Sequence, residues 1–354
     1  MSESLVIAAQ SGKYKVHFSN VNFEGIELLD AKKTHFLIDE KVLSLYKNEL
    51  NFLENASSVI KITANETSKS LEKFPCYIEQ LVKNGVRRDH QLVAIGGGVI
   101  QDITSFLASI LLRGVKWKFY PTTLLAQADS CIGSKSSVNV NGIKNIVGTF
   151  TPPSEILISP NILSTLSNED FRSGIGEMLK IHAICGLEQF DQIAMVYSKF
   201  SNNEVLLLEF IRKSLLLKKS YVENDEFDKG PRLVLNYGHT FGHAIEAASD
   251  FKIPHGIAVT IGMDMANIIS HRLGFGSSNF YDRMHNILKS NASGFALNNL
   301  SIEKFFEALL KDKKHITNAL KLVLPTHSNK VELVECAFNA EFKSTCKDIF
   351  QGWK

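Results

Sequence analysis

The chain has 354 residues, of which 44% are hydrophobic and 21% are charged, and this is typical of a globular protein with two domains. A formal net charge of +2 gives no reason to expect nucleic acid or an anionic membrane as a partner. We expect neither a secretory signal nor a membrane-spanning helix, because no apolar run reaches about 18 residues and no basic segment precedes one. The five cysteines are scattered, which favours a reducing compartment, and we expect the protein in the cytoplasm.

The first half of the sequence alternates short apolar runs with stretches of helical spacing. Strands are predicted at residues 15–18, 35–38, 59–63, 92–95, 117–120 and 155–158, and helices at residues 69–83 and 101–112. Strands that alternate with helices are typical of βαβ units. This part of the chain is therefore predicted to be an α/β domain with a mostly parallel sheet.

The second half of the sequence has a different pattern, because nearly every segment after Ser167 has helical spacing. Helices are predicted at residues 169–183, 204–223, 240–248, 258–273 and 302–310. Ser167 with Asp170 three residues later resembles a capping box at the start of the first of these helices. We therefore predict two domains, an α/β domain over residues 1–165 and an all-α domain over residues 166–354.

A glycine-rich turn follows the apolar run of residues 92–95. Three glycines follow this run and precede the next predicted helix, and backbone amides at a helix N-terminus can bind a phosphate. Gly96 and Gly98 match the first and third positions of the dinucleotide fingerprint, but Gln101 occupies the sixth, so a tight strand-to-helix turn is the alternative. Asp39 ends another apolar run, where an acidic residue either binds a ribose hydroxyl or forms a turn.

Three of the eleven histidines lie within one short segment. His239 and His243 are four residues apart, so they share a helix face, and His255 follows after a short connection. Three imidazoles and a carboxylate suit a divalent transition metal, zinc first, whereas helix caps or a polar interior are the alternative. Spacing does not identify the fourth ligand. Glu177 is the best candidate, although it could instead form an ion pair with Lys180.

Several basic residues lie beside glycine, asparagine or histidine segments. They are Arg113, Lys135, Lys144, Lys180, Lys218 and Arg232. If they converge, they would bind a substrate that carries phosphate or carboxylate groups; otherwise they are ordinary solvated side chains. Residues 121–135 place two threonines, Asp129 and Lys135 among small residues, which is typical of a loop at a functional site.

The motifs of the chain, taken in order, resemble those of the 3-dehydroquinate synthase family from about residue 34 to residue 326. They are Gly96-Gly-Gly-Val-Ile-x-Asp102, Arg113-Gly114, Pro121-Thr-Thr-Leu-Leu-Ala126, Asp129-Ser130, Gly133-x-Lys135, Val138-Asn139, Lys144-Asn145-x-x-Gly148, Glu177-x-x-Lys180, Asn236-x-Gly-His239-Thr-x-Gly-His243-x-x-Glu246 and His255-Gly256. The resemblance implies a Rossmann-like N-terminal domain, a helical metal-binding domain and a homodimer.

The resemblance also implies a role for individual residues. The metal ligands would be Glu177, His239 and His255, while His243 would contact the substrate phosphate and handle protons, which changes the interpretation based on spacing alone. The substrate and catalytic positions would be Arg113 (reaching the neighbouring subunit's site), Asp129, Lys135, Asn145, Lys180, Lys218, Arg232, Asn236 and His243, with Lys313 and Lys314 in the late lysine motif. The NAD contacts would be Asp39, Glu66, Lys69, Gly97, Gly98, Asp102, Thr122, Thr123, Asp129 and Lys144.

The family's reaction accounts for such a set of residues. NAD transiently oxidises one hydroxyl of 3-deoxy-D-arabino-heptulosonate 7-phosphate, the neighbouring C–H becomes acidic, and phosphate leaves. The same NADH then reduces the ketone, and an intramolecular aldol step closes 3-dehydroquinate. The metal, zinc or cobalt, acts as a Lewis acid. The implied protein is a carbon–oxygen lyase of the shikimate pathway with a phosphorylated small-molecule substrate.

The sequence departs from the family pattern at four positions. Gln101 and Ser134 stand where glycine is expected, Asp228 where glutamate is usual, and Ile257 where glutamate is common. Ser134 and Asp228 lie beside substrate positions, so they bear on which sugar phosphate is used rather than on the chemistry.

Three other functions are therefore weighed against the main interpretation. The first is a related cyclase with another sugar phosphate, such as a 2-deoxy-scyllo-inosose synthase; the retained His243 argues against the sedoheptulose 7-phosphate branch. The second is a metal-dependent alcohol or glycerol-phosphate dehydrogenase. The third is a binding protein that has lost the chemistry, which predicts gaps among the ligands, yet Glu177, His239 and His255 are all present. Lys218 and Arg232 fit a substrate carboxylate and favour the dehydroquinate assignment.

Overall fold

The structure is a computed structural model that describes residues 4–56, 58–311 and 319–353. The chain divides into two compact units. The first comprises Met1–Leu166 with Lys218–Phe227, and the second comprises Ser167–Leu217 with Asp228–Lys354. The end of one long helix, α6 (Glu204–Asn224), therefore belongs to the first unit although it lies far along the chain.

A seven-stranded sheet forms the first unit. Its strands are β1 (Ser4–Ala9), β2 (Gly12–Phe18), β3 (Thr34–Asp39), β4 (Val59–Ile62), β5 (Gln91–Gly96), β6 (Lys116–Pro121) and β9 (Glu155–Ile158), in the order β1-β2-β9-β6-β5-β3-β4. Within the described residues of this sheet, β1 and β2 pair antiparallel and all other neighbouring strands pair parallel. The mostly parallel sheet is confirmed, and all six predicted strands are present. A small hairpin of β7 (Val138–Val140) and β8 (Ile143–Val147) was not predicted.

The helices of the first unit are α1 (Glu40–Leu45), α2 (Phe74–Lys83) and α3 (Gly98–Ile110). The helix predicted at residues 69–83 begins late, at Phe74, after two 3-10 turns. A helix that began at residue 69 would place Pro75 in its interior, where proline removes a backbone hydrogen bond. The helix predicted at residues 101–112 begins at Gly98 and ends at Ile110, and Leu112 has a left-handed φ of 51°.

The sheet places the sequence motifs at one edge. β3 pairs with β4 on one side and with β5 on the other, so the strand order reverses between β3 and β5. In open parallel sheets, ligands bind beyond the carboxyl ends of the strands at such a reversal. Asp39 ends β3, Gly96 ends β5 and Pro121 ends β6, so the predicted glycine turn and the two threonines lie at this edge.

The second unit is helical. Besides most of α6, it contains α4 (Asn168–Ile184), α5 (Leu187–Ala194), α7 (His239–Ala248), α8 (His255–Arg272), α9 (Asn279–Asn291), α10 (Ile302–Lys311) and α11 (Ala340–Gly352). The helical C-terminal part is confirmed, and it also contains an antiparallel hairpin of β10 (Ala319–Pro325) and β11 (Val331–Ala337).

Helix α8 is the centre of the second unit. It is buried along most of its length and packs against α4, α7 and α9. The Ser167 hydroxyl caps α4 by accepting a hydrogen bond from the Asp170 amide, as the capping pattern predicted. Within the described ranges, no helix combines the length and the apolar character that a membrane span requires.

Candidate active site

The glycine turn joins β5 to α3. Gly97 is the N-cap of α3, and a Cβ atom on it would lie 2.8 Å from Cγ2 of Thr123. Packing therefore explains the glycine at this position. A Cβ on Gly98, by contrast, would meet no atom within 4 Å, so packing does not require glycine there. The space beside Gly98 is open, so a glycine there leaves room for a phosphate to approach the backbone amides at the start of α3. This arrangement fits a phosphate-binding turn.

Two further strand ends complete this edge of the sheet. Asp39 accepts a hydrogen bond from the amide of Lys41 (2.9 Å) and so caps α1, while burial raises the pKa of its carboxyl group. The Thr122 amide donates to the carbonyl of Gly96 (2.9 Å), and Thr123 accepts from the Ala126 amide. The structure thus brings Asp39, the glycine turn and both threonines to neighbouring strand ends.

Four predicted site residues form one polar network in the first unit. Lys69 Nζ lies 2.9 Å from Asp102 Oδ2, 3.2 Å from Asn145 Oδ1 and 3.4 Å from Glu66 Oε1. Burial opposes the charge on Lys69, but the carboxylates of Asp102 and Glu66 outweigh it and raise the pKa of the lysine. Asp102 Oδ1 also accepts from the Ser137 amide. The network ties α3 to the β7–β8 hairpin, on which the half-buried Lys144 lies.

Asp129 and Lys218 form a second pair in the first unit. Asp129 lies in a π-helical turn, Ala126–Ser130, and such turns are frequent at functional sites. Lys218 Nζ donates to the Asp129 carbonyl (2.7 Å) and lies 3.1 Å from its carboxylate. Lys218 is 6% exposed, so a solvated surface lysine does not describe it. Lys135, six residues after Asp129, is exposed.

Several of the candidate residues have unusual backbone conformations. Arg113, Asn145 and Asp228 have φ values of 66°, 55° and 56°. The left-handed region is uncommon for residues other than glycine, and such strain concentrates at functional sites. Arg113 is exposed, at the end of a short turn after α3.

The second unit contains the predicted metal ligands, and the structure brings them together. The Oε1 atom of Glu177 lies 3.4 Å from Nε2 of His255 and 3.8 Å from Nε2 of His239. One ligand atom from each of the three side chains lies within 4.8 Å of the others. Glu177 is 1% exposed, and the ammonium of Lys180 lies 2.5 Å from its Oε2.

The second nitrogen of each imidazole has an acceptor of its own. His255 Nδ1 lies 3.1 Å from Glu246 Oε2, and His239 Nδ1 lies 3.3 Å from the carbonyl of Tyr237. Both rings therefore direct Nε2 toward Glu177, which is the arrangement that orients metal-binding histidines. The ammonium of Lys180 pairs with Oε2 of Glu177, but among the described residues Oε1 accepts no hydrogen bond of good geometry. A buried carboxylate in this condition, beside two imidazole nitrogens, fits a divalent cation.

The pKa values of the three side chains also suit a divalent cation at this position. Burial opposes the charge of Glu177, but Lys180 and the two histidines outweigh it and keep the pKa well below its ordinary value. Burial and the nearby Lys180 lower the pKa of His239, which stays neutral. Burial also disfavours the charged form of His255, yet Glu177 and Glu246 raise its pKa to about 10. A divalent cation would take the place of that proton.

Glycines let the three helices of the cluster approach each other closely. A Cβ on Gly176 would lie 2.2 Å from the carbonyl oxygen of Gly256, and one on Gly238 would lie 2.7 Å from the carbonyl oxygen of Val259. Gly176 precedes Glu177, Gly238 precedes His239, and Gly256 follows His255. Each ligand is therefore next to a residue whose missing side chain brings α4, α7 and α8 into backbone contact.

The remaining candidate residues of the second unit are not among the three predicted metal ligands. His243 is exposed, and its ring centroid lies 5.4 Å from that of His239. A second group of possible ligand atoms, from His243, Glu246 and His255, shares His255 with the first. Lys180 and Arg232 are buried, and Asn236 ends a 3-10 turn. Lys313 and Lys314 lie outside the described residues.

Sequence reasoning assigned no role to Glu246, which the structure places against His255. A signal was present, because Glu246 follows His243 by three residues and so shares its helix face.

Solved structures with the same fold cover nearly the whole chain. A 2-deoxy-scyllo-inosose synthase, solved with carbaglucose-6-phosphate, NAD+ and Co2+, is 22% identical with a TM-score of 0.84, over 99% of this chain and 100% of that one. The 2-epi-5-epi-valiolone synthase ValA from Streptomyces hygroscopicus subsp. jinggangensis 5008, solved with NAD+ and Zn2+, is 24% identical with a TM-score of 0.83, over 96% of this chain and 97% of that one. The chain therefore shares its fold with these two synthases.

Sequence comparison gives a narrower result. Residues 59–173 match the family model "3-dehydroquinate synthase N-terminal", and residues 174–315 match "3-dehydroquinate synthase C-terminal". The 3-dehydroquinate synthase of Dictyoglomus turgidum is 38% identical over an alignment that covers 99% of this chain and 98% of that protein. The chain belongs to the 3-dehydroquinate synthase family.

Proposed function

We propose that the chain converts 3-deoxy-D-arabino-heptulosonate 7-phosphate to 3-dehydroquinate and phosphate, a carbon–oxygen lyase step of the shikimate pathway that leads to chorismate and the aromatic amino acids. The observation that carries the proposal is the cluster of Glu177, His239 and His255 in a chain 38% identical to a 3-dehydroquinate synthase over almost its full length. The related cyclases and the dehydrogenases share the fold at lower identity, so they have weaker support.

The proposal includes NAD and one divalent cation, zinc or cobalt. NAD would bind at the glycine turn of the first unit, near Asp39, Thr122, Thr123 and the network of Lys69 and Asp102. Glu177, His239 and His255 would hold the cation, since two imidazoles and a carboxylate leave a coordination position for substrate. When bound, NAD accepts and returns a hydride, and the cation polarises a substrate hydroxyl and stabilises negative charge.

The chain's own residues would bind the substrate and move protons. Lys135, Lys180, Lys218 and Arg232 supply positive charge for phosphate and carboxylate groups, and the arginine can bind a carboxylate through two hydrogen bonds. Asn145 and Asn236 would donate to hydroxyl groups. His243 is exposed beside the ligand cluster, so one of its ring nitrogens can carry a proton to or from the substrate.

The remaining assignments follow from the same proposal. We assign NAD binding to residues 1–165 and metal and substrate binding to residues 166–354, with the qualification that Lys218 belongs to the first compact unit. We also propose a homodimer in which Arg113, exposed on a left-handed turn, contributes to the neighbouring subunit's site.

The test is an assay of the metal-loaded protein with NAD and 3-deoxy-D-arabino-heptulosonate 7-phosphate. Phosphate release without accumulation of NADH, together with 3-dehydroquinate as the product, is expected. Accumulation of one NADH per substrate would select a dehydrogenase instead. Turnover of a hexose phosphate in place of the heptulosonate phosphate would select another cyclase.

A matched pair of variants tests the substrate role of Lys218. Lys218→Ala should lower kcat/KM by about 100-fold, because a charge that contacts substrate and Asp129 is lost. The neighbouring Lys219 pairs with Glu223 at 3.7 Å and is half-buried, so Lys219→Ala should leave kcat/KM unchanged. Equal effects of both substitutions would contradict the role of Lys218.

A further inference from the structure

The segment from Asp129 to Lys135, here called the site segment, is hydrogen-bonded to several other parts of the first unit, among them the Thr151 amide, which donates to the carbonyl of Ser134 (2.7 Å). Gln101 donates to the Ser130 carbonyl (2.6 Å) and accepts from the Ser130 hydroxyl (2.7 Å). The Gly133 amide donates to the hydroxyl of Tyr14 (3.1 Å). The hydroxyl of Ser134 donates to Oε1 of Glu226 (2.5 Å). Three of these hydrogen bonds are made by the side chains of Gln101 and Ser134, which stand where the family pattern has glycine.

Ser134 has an unfavourable backbone conformation, which its hydrogen bond to Glu226 helps to stabilise. Its φ is 66°, in the left-handed region that side chains other than glycine, asparagine and aspartate rarely adopt. It is also buried, at 6% exposure, so its hydroxyl is shielded from water and depends on a protein acceptor such as Glu226. The hydrogen bond to Glu226 therefore stabilises a backbone conformation that is unfavourable for a serine residue.

Glu226 is a fully buried carboxylate that joins two elements. Its oxygens accept from the Ser11 amide (2.8 Å), the Ser11 hydroxyl (2.5 Å) and the Ser134 hydroxyl. Burial alone would raise its pKa, but the hydrogen bonds from Ser11 and Ser134 outweigh burial and lower it, so the group is an anion. A charged acceptor makes the bond to Ser134 stronger than a neutral one would.

We propose that Glu226 is a positioning residue, which fixes the end of the site segment through Ser134 and so sets the position of Lys135 relative to the substrate. The proposal rests on the proposed function, since it takes Lys135 as a substrate contact. Lys135 directly follows Ser134, so a change in the left-handed conformation of Ser134 redirects the lysine. Displacement of a substrate-binding group by about 1 Å is enough to cost about 100-fold in rate.

A purely structural role is the competing explanation, because Glu226 also holds Ser11 in the turn between β1 and β2. Glu223 offers a control for this role. It lies three residues earlier, near the end of α6, and its Oε1 accepts from the Ala8 amide (2.7 Å) in the same β1–β2 hairpin, but no described hydrogen bond joins it to the site segment. A substitution at either glutamate should weaken its hydrogen bonds to the β1–β2 hairpin. Only a substitution at Glu226 should also change the position of the site segment.

The experiment combines two substitutions at Ser134 with one at Glu226. Ser134→Ala keeps the strained backbone and removes the hydroxyl, so kcat/KM should fall about 30-fold. Ser134→Gly removes the hydroxyl but tolerates the left-handed conformation, so kcat/KM should stay within about threefold of the parent. Glu226→Gln should lower kcat/KM about 30-fold in the parent and less than about threefold in the Ser134→Gly background. Glu223→Gln should leave kcat/KM unchanged.

A second measurement does not depend on turnover. Backbone amide exchange at residues 131–136 should be about tenfold faster in Ser134→Ala than in the parent, and close to the parent in Ser134→Gly. Equal losses of kcat/KM from Glu226→Gln in both backgrounds, or equal behaviour of Ser134→Ala and Ser134→Gly, would overturn the proposal. If Glu226→Gln fails to fold, the two Ser134 variants decide alone.

The two proposals can fail separately. A parent protein that releases no phosphate from the heptulosonate phosphate overturns the proposed function, while the exchange rates of the Ser134 variants still support or overturn the positioning role. A parent that turns over normally, with Ser134→Ala equal to it in kcat/KM and in exchange, overturns only the positioning role.

Discussion

Gly176 on α4 and Gly256 on α8 are in backbone contact: a Cβ atom on Gly176 would lie 2.2 Å from the carbonyl oxygen of Gly256, and one on Gly256 would lie 1.9 Å from the carbonyl oxygen of Ser173. Glu177 and His255 are the neighbours of these glycines in sequence, so the contact determines how closely their side chains approach. A carboxylate and an imidazole on two helices share a site here because each helix has a glycine at the point of closest approach.

Gly176→Ala should therefore disrupt the ligand cluster without changing a ligand. In an ordinary helix this substitution stabilises by reducing the entropy of the unfolded chain. Here the added methyl group would meet backbone atoms that cannot rotate away, so α4 and α8 must separate, at a cost of about 2 kcal/mol or more. We expect a lower midpoint of thermal unfolding and zinc content well below one per chain, measured by mass spectrometry after dialysis.

Gly352→Ala is the control for that substitution. Gly352 ends α11, and a Cβ atom on it would meet nothing within 4 Å. The variant should unfold at the parent's temperature or slightly above and keep its zinc. A Gly176→Ala protein with normal zinc content would show that the helix crossing does not control the cluster.

The ligand assignment predicts a graded loss of zinc affinity. Glu177→Gln and His255→Ala each remove a ligand and should abolish stoichiometric zinc binding and turnover. Glu246→Gln leaves the ligands in place but weakens the acceptor at Nδ1 of His255, so zinc affinity should fall about 10- to 100-fold. Competition titration with a chromogenic chelator measures all three.

His243→Ala separates the two groups of possible ligand atoms. If Glu177, His239 and His255 hold the cation, this variant should lose turnover and keep zinc. Should His243→Ala lose zinc while Glu177→Gln retains it, the cation would belong instead to the group of His243, Glu246 and His255.

The sequence predicted the elements of the first unit well because most of their signals are local. Each predicted strand is a short run that contains buried apolar residues, and the signal is strongest in β5, where residues 92–96 are all buried. The β10–β11 hairpin was missed because neither strand alternates regularly: β10 ends in four consecutive buried residues, β11 is mostly exposed, and both follow a series of helices. Its pattern does not stand out from the helical periodicity that precedes it.

The candidate site was predictable in part. The spacing of His239 and His243 indicated a shared helix face, and the ordered motifs supplied Glu177. Spacing within one segment cannot show that α4 meets α8 at Gly176 and Gly256, because this contact joins residues 80 positions apart. Nor could it show that Gln101 and Ser134, which depart from the family pattern, each make a hydrogen bond of their own to Ser130 and Glu226.

The glycine turn offers a test that separates phosphate binding from packing. Gly98→Ala adds a methyl group where no atom lies within 4 Å, and alanine suits the first turn of a helix. The midpoint of thermal unfolding should therefore be unchanged or slightly higher. The same methyl group would stand where a dinucleotide phosphate approaches the backbone, so the Kd for NAD should rise about tenfold or more. Protein fluorescence during NAD titration measures it.

Gly97→Ala should behave differently, because its Cβ would lie 2.8 Å from Cγ2 of Thr123. This variant should lose both stability and NAD affinity. If Gly98→Ala binds NAD as the parent does, the turn is a tight connection between β5 and α3, and the nucleotide does not contact it.

A buried ion pair far from the ligand cluster makes the stability of the second unit depend on pH. Asp264 on α8 has no exposed surface, and its Oδ2 lies 2.9 Å from Nδ1 of His285 on α9. The hydrogen bond to Asp264 raises the pKa of His285 above its ordinary value of about 6.5. The folded protein therefore holds this proton more tightly than the unfolded chain. The resulting stabilisation is complete below about pH 6.5 and is lost as the pH rises through the folded-state pKa.

His285→Gln should accordingly lower the midpoint of thermal unfolding more at about pH 5.5 than at about pH 8.5. The amide can still donate one hydrogen bond to Asp264, but it brings no charge to a carboxylate whose second oxygen, among the described residues, accepts no hydrogen bond. His271→Gln, at an exposed position near the end of α8, is the control and should show no such dependence. A His285→Gln defect of the same size at both pH values would mean that the pair stabilises the contact between α8 and α9 by packing and neutral hydrogen bonding, with no contribution from the charge on the imidazole.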